Sequence, residues 1–419
     1  MFVKIKKMTF VLAGMFISLA SMAQQNGEEL SAIEKLEQRV ETLNKTVQTQ
    51  QKLKVSGVIQ TQFQHGEKDA ALNVGAANNS EEAFNRVGVR RGFVKFAFDE
   101  KIVSSVLQID ITEKGVSVKE VYMDFRIPKM GASAIRAGLF NRPFGYEVGY
   151  SSSILESPER ANIIRTLLPD ERDLGGMLIL QPAKSSRWNF IKLETGLFAG
   201  NGIKQETDSR KDFIGRLSGI KNGSGFGISY YNGGVYQGTD SVYTMKGNAF
   251  VLNNTPSNRG KFAKREYIGW DAQWKHTSSL GTTKLHAEYI LGTQSGAAAS
   301  SKSPNTSTLP STHTYVRKFM GGYVMLVQNI GKLPLSVIAK LEWYDPNIAV
   351  AKNETGQNGT GRGDLLYEAI GLGLMWHFSE SVRLQAHYEL NRNETTEHLV
   401  GYSKNLKDNV LTVRLQYRF

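Results

Sequence analysis

The chain of 419 residues contains no cysteine. That excludes a disulfide framework, thiolate metal sites, a cysteine nucleophile and a lipid-modified N-terminal cysteine. It also lacks any apolar run of the roughly 20 residues that a membrane-spanning helix needs. The best candidate, Met8 to Ala23, is too short; it follows Lys4, Lys6 and Lys7 and closes on Ser21 and Ala23. Such a segment is expected to be a signal peptide, residues 1–23, rather than a core helix or an anchor. Enzyme signatures are missing as well. His65, His276, His286, His313, His377, His387 and His398 are scattered, with no metal-ligand spacing, no GxSxG, no HExxH and no phosphate-cradling glycine loop. We therefore expect no enzyme activity, no metal and no cofactor. Arg362, Gly363 and Asp364 spell RGD in a polar loop, which we read as chance.

The charge that is present is basic. The formal net charge is +12, and removing the three lysines of residues 1–23 leaves +9. An exported basic chain points to anionic lipid or anionic solutes rather than to nucleic acid.

Residues 24–53 have their own character. Glu28 to Leu53 contains no glycine or proline and is rich in Glu, Lys and Gln. Ile33, Val40 and Val47 recur every seven residues, and Leu36, Leu43 and Gln50 recur three positions later. This is the stripe of a short coiled coil, expected in the periplasm, although a solvated amphipathic helix reads the same way. Its β-branched and leucine positions favour two strands in isolation, whereas a trimeric barrel would impose three.

From residue 54 to 419 the hydrophobic period switches to two. In NVLTVRLQYRF, Leu411, Val413, Leu415, Tyr417 and Phe419 fall on one face, with Thr412, Arg414, Gln416 and Arg418 on the other. A sandwich strand reads similarly, but an aromatic last residue resembles the closing strand of outer-membrane barrels. About sixteen such strands can be counted, an even number as single-chain bacterial barrels require. Long connections alternate with short ones, Thr112 to Ser117 being a short exception on the long side. Alternation is expected of a transmembrane antiparallel β-barrel inserted from one side and has no rationale in a soluble sandwich. Trp188, Trp270, Trp274, Trp343, Tyr344 and Trp376 sit at strand ends, as interfacial girdles would.

The connection 143–173 is too apolar for a free loop. Phe144, Ile154, Leu155, Ile163, Ile164, Leu167 and Leu168 need partners. Folding into the lumen would supply them; capping the barrel or packing on a neighbouring subunit would too.

Four runs resemble the phosphate-selective porin O and P family: RRGFVKFAF, GLFNRPFGYE (Gly138 to Glu147), SPERANIIRTLLPDERDLGGML (Ser157 to Leu178) and RLQYRF. The resemblance implies a sixteen-stranded homotrimeric channel in the outer membrane of a Gram-negative cell, with an inward-folded third loop and an arginine-lined passage. It further implies outer-membrane lipid as surroundings and the barrel-assembly machinery during biogenesis. The expected cargo is small hydrophilic solutes, with a preference for anions such as phosphate, which want Arg forks or Lys ammonium groups in depth. Candidate lining residues are Arg91, Lys95, Arg126, Arg136 and Arg142 on early strands, with Arg160, Arg165 and Arg172 from the loop. Asp110, Glu120, Asp124, Glu156, Glu159, Asp170, Glu171 and Asp173 share those strands and that loop, so a mixed-charge lining is the plainer expectation. Arg414 and Arg418 should face the lumen away from this filter. An alternative function is structural or adhesive, the coiled coil tethering the barrel to the cell wall or a partner.

Overall fold

The computed structural model describes residues 36–41, 52–77 and 81–419. The expected signal peptide lies outside them, as does most of the expected coiled coil, of which residues 36–41 are helical. The chain divides into two units, Met1–Lys54 and Val55–Phe419, and the second carries the sheet.

That sheet has eighteen strands: β1 (Leu53–Glu67), β2 (Ala83–Asp99), β3 (Val103–Thr112), β4 (Gly115–Arg126), β5 (Ala134–Asn141), β6 (Arg172–Leu180), β7 (Ile191–Phe198), β8 (Asp212–Lys221), β9 (Ser224–Tyr236), β10 (Ser241–Lys246), β11 (Ala249–Asn254), β12 (Phe262–Ser278), β13 (Gly281–Gly296), β14 (Thr314–Asn329), β15 (Leu335–Asp345), β16 (Tyr367–His377), β17 (Val382–Asn393) and β18 (Val410–Arg418). Sixteen of them form the wall of a closed antiparallel barrel. The other two, β10 and β11, make a hairpin inside what the sequence reads as one long connection. β9 passes over this hairpin to pair with β12, from Tyr236 opposite Phe262 to Gly225 opposite Gln273. β10 adds a short parallel pairing to the end of β14, Val242 to Thr244 against Thr314 to Val316.

Closure is made by β18 against β1, from Val58 opposite Arg418 to Gly66 opposite Val410. Inward polar side chains zip this seam. Gln60 Nε2 donates to Gln416 Oε1 at 2.8 Å, Arg414 Nε to Gln62 Oε1 at 2.7 Å and Gln64 Nε2 to Thr412 Oγ1 at 3.0 Å. These groups are buried, while Ile59, Phe63, Leu415 and Tyr417 on the alternate positions are exposed. The period of two thus puts glutamine and arginine inside and hydrocarbon outside, the inverse of a soluble barrel and what a bilayer demands. Trp188, Trp274 and Trp376 are exposed in keeping with a girdle, and Trp270, Tyr289 and Trp343 form an aromatic row with ring centroids 6.3 Å apart. Tyr344 departs from the expectation: it points inward, buried, with its hydroxyl 2.9 Å from that of Ser301. It is one position from outward Trp343, so the alternation that places one excludes the other.

One rim carries the long connections. The exception, expected at Thr112 to Ser117, narrows to Glu113 and Lys114, because β3 and β4 stay paired out to Thr112 opposite Gly115.

Candidate lumen site

The connection between β5 and β6 holds a short helix, Asn162–Leu167, which the sequence reading did not assign. Phe144, Ile163, Ile164, Leu167 and Leu168 are buried in one cluster with inward Tyr231, Tyr267, Phe319, Tyr323, Ile338 and Met375, and Leu155 is buried outside it. Ile154 instead stays exposed. Edge-to-face rings fix Phe144 against Tyr231 and Tyr267 at centroid distances of 6.4 and 6.2 Å. A buried aromatic of this kind contributes about 3–5 kcal/mol, judged by truncation to alanine.

Polar groups of the wall satisfy the backbone of the connection. Glu288 Oε2 accepts from the N–H groups of Tyr146 and Glu147 at 3.2 and 3.1 Å, and Ser229 Oγ accepts from Gly145 N–H. Gly145 has φ +67°, and a Cβ there would lie 1.7 Å from Glu288 Oε1, so only glycine lets the turn approach this carboxylate. Glu147 turns back to accept from Ala161 N–H at 2.8 Å, and Glu342 Oε1 accepts from Asn162 N–H. Burial drives the Glu147 carboxyl above its ordinary range, against the pull of Lys340 and Arg160. Further along, Arg383 donates to Leu155 O, Gln385 to Glu156 O and Arg414 to Pro158 O, stitching the segment to β17 and β18.

The opposite side, facing β2 to β5, is open. A cavity of about 650 Å³ is lined by Arg90, Arg91, Lys119, Arg160 and Arg165 together with Asp110, Glu159, Asp170 and Glu171. A second, of about 540 Å³, is lined by Lys95, Arg136, Arg160, Arg172 and Arg418 with Glu120. The two adjoin at Ser152 and Arg160, which line both.

Of the eight sequence candidates, six meet here. Arg91 pairs with Asp110 at 3.4 Å and Lys95 with Glu120 at 3.3 Å. Arg136 makes a bidentate pair with Asp124 at 2.6 and 2.8 Å and lies 4.0 Å over the Tyr122 ring. Arg160 pairs with Glu171 at 3.3 Å, and Arg172 binds Glu120 and Glu171. Arg165 is exposed at the helix end with no ion pair among the described residues. The remaining two stand apart. Arg126 reaches the short turn on the other rim, binding Asp99 and the carbonyl of Glu100. Arg142 is 2 % exposed, donates to the carbonyls of Pro169 and Arg172 and lies 3.4 Å from Asp173. It braces the base of the connection, where no solute reaches it.

Four cations were missed or misplaced. Lys119 enters the lumen because β4 carries a bulge: Gln108 faces Glu120 but Ile109 faces Val118, so Lys119 has no partner in the register and swings in to Asp170 at 3.5 Å. Arg90 and Arg91, adjacent in sequence, both point inward. The pairing of β2 with β3 begins at Phe93, and a Cβ on Gly92 would meet Ile111 O at 2.3 Å. Arg90 thereby reaches Glu159 bidentately, both distances 2.7 Å. Arg414 and Arg418, both placed away from the other candidates by the sequence, reach the same cavities: Arg414 binds Glu159 Oε1 at 3.0 Å, and Arg418 lines the second cavity beside Arg136 and Arg172. Burial would raise the Glu159 carboxyl, but Arg90, Arg414 and Arg91 outweigh it and hold the group well below the carboxylate range. Glu171 is likewise held at about 2, burial being overcome by Arg160, Arg172 and Arg91. The Asp364 carboxylate of the RGD sequence is buried against Arg317 Nε at 2.7 Å and Asn347 Nδ2 at 2.8 Å, which removes it from any adhesive role.

No family model matches this chain, and no curated protein matches it in sequence. Solved structures do match. OmpF of Salmonella typhi, in complex with daunomycin, aligns with a TM-score of 0.55 at 12% identity, over 88% of this chain and 97% of that one. The outer membrane channel DcaP of Acinetobacter baumannii aligns at 0.52 and 9% identity, over 88% and 97%. The trimer form of OmpT, an outer membrane protein of Vibrio cholerae, aligns at 0.52 and 8% identity, over 88% and 99%. At such identities the likeness is one of fold: a closed antiparallel barrel of sixteen strands.

Proposed function

We propose that this chain is an outer-membrane porin through which small hydrophilic solutes diffuse passively, with a preference for anions such as phosphate. The observation that carries the reading is the pair of adjoining cavities at Arg160, the inner one lined by five cationic side chains and by Glu120. Guanidinium and ammonium groups staggered from Arg91 to Arg136 offer successive weak partners to an anion, enough to enter and too few to hold it. Most are already paired to carboxylates, so the preference is modest and no tight phosphate site is implied. The active form is a homotrimer in outer-membrane lipid, inserted by the barrel-assembly machinery, with residues 24–53 as a periplasmic coiled coil. The resemblance in the loop motifs and the trimeric form of one fold relative support this assembly.

Purified protein in planar bilayers should give stepwise currents whose reversal potential in a chloride gradient lies on the anion side. A silent bilayer would remove the channel reading, and a reversal potential on the cation side would remove the anion preference. Deleting Glu28 to Leu53 should leave these currents unchanged.

A further inference from the structure

The loop helix lies between the first basic cavity and a third space, and Glu159, Arg165 and Lys302 line both. This one, of about 410 Å³, lies against β15, β16 and β17, and its carboxylates Asp69, Glu342, Glu389 and Asp408 outnumber its cations. Beneath it sits a chamber of about 10 Å³, the volume that holds a single water-sized group. The two share Glu159, Glu342, Ala369 and Glu389 as lining. No route continues through the floor, because Arg383, Gln385 and Arg414 bind the loop carbonyls there.

This blind end holds an unexplained group. His387 is 3 % exposed, lines the chamber, and neither Nδ1 nor Nε2 has a hydrogen-bond partner. A buried imidazole without partners is costly, and a group that fills the space and hydrogen-bonds to the ring would remove that cost. Around it Glu159 is engaged by Arg90 and Arg414, and Glu342 by Lys340 at 2.9 Å, but Glu389 has no ion pair among the described residues. Lys340 is taken up by Glu342 and Glu147, so Glu389 is the one carboxyl group lining the chamber that has no ion pair among the described residues.

We propose that this chamber is a binding site for a primary ammonium group, carried by a linear diamine or polyamine that descends from the acidic vestibule. An ammonium is the size of a water and donates three hydrogen bonds; the unprotonated ring nitrogen of His387 and the side-chain oxygens of Glu389 are acceptors for them. A divalent metal fits poorly, since no group of three His, Asp or Glu among the described residues is placed to hold one. The remaining ammonium groups of the ligand meet Asp69 and Asp408 above.

Binding is read on detergent-solubilised full-length protein by calorimetry with spermidine at low salt, with bilayer conductance measured in parallel. Spermidine should bind, Glu389→Gln and His387→Leu should each weaken it at least tenfold, and calcium chloride at equal ionic strength should not displace it. Absence of binding heat, an unchanged Kd in both variants, or full displacement by calcium would overturn the proposal. Since the heat does not depend on current, a conducting channel that ignores spermidine fails this inference alone, and a silent one fails only the porin reading.

Discussion

The two halves of the lumen differ in what their charged groups do. Against β8 to β15 the interior is packed: Arg216 is held by Asp271, Arg265 by Asp212 and Arg317 by Asp364, all nearly without exposure, between aromatic rings. Against β2 to β5 similar pairs, Arg91 with Asp110 and Lys95 with Glu120, border open cavities. A buried pair is an all-or-none brace, because removing one partner strands a charge in a dry medium. A wet pair is a tunable lining, because water replaces whichever partner leaves. The same residue types therefore build the anchor of the loop on one side and the proposed filter on the other.

The sharpest break of this contrast is Gly145→Val. With a side chain forced against Glu288, the loop should leave its anchor and single-channel conductance should rise several-fold; an unchanged conductance would mean the loop does not narrow the lumen. Next comes Asp271→Ala, which strands Arg216 and should lower stability by about 3–5 kcal/mol, read as the shift of the heat-unfolding transition. Arg165→Glu, on the wet side, should leave that transition in place while lowering anion preference more than Lys204→Glu does. Equal shifts in reversal potential for the two would locate the filter elsewhere.

The smallest effect expected is that of mild acid. Glu171 has a depressed pKa, so its bonds to Arg160 and Arg172 are fully present above the ordinary carboxylate range and disappear only as pH falls toward about 2. Glu159 behaves in the same direction. Conductance should hold steady from neutral pH to about 4, and a transition centred between 4 and 5 would show that these arginine clamps do not hold the loop.

Strand periodicity reaches most of the fold because lipid and lumen impose opposite chemistries on alternate residues, and all sixteen wall strands can be read that way. What it misses are places where the count of two is broken. The bulge at Lys119 and the close approach at Gly92 each turn a residue inward that alternation puts outside, and neither carries a local signature beyond the glycine. The hairpin of β10 and β11 was missed, being taken as part of one long connection, although a signal was there: SVYTMK and AFVLNN flank Gly247 and Asn248, a two-residue turn. Arg142 illustrates the limit from the other side. Its type and position match a filter residue, and only the three-dimensional path of Pro169 to Asp173 across it reveals a brace.

The glutamine seam also bears on how the barrel is made. Gln60 and Gln416 are 356 positions apart, and Gly57 and Phe419 exchange backbone bonds at 2.9 and 3.1 Å. Hairpins can form from neighbours as they emerge, but this pairing has to wait for nearly the whole chain and bears the largest loop-closure entropy in the molecule. Until then two strand edges stay unsatisfied, so substitutions such as Gln62→Leu belong to a class whose damage is measured in rates of assembly and in aggregated intermediates, well before any change is visible in the finished pore.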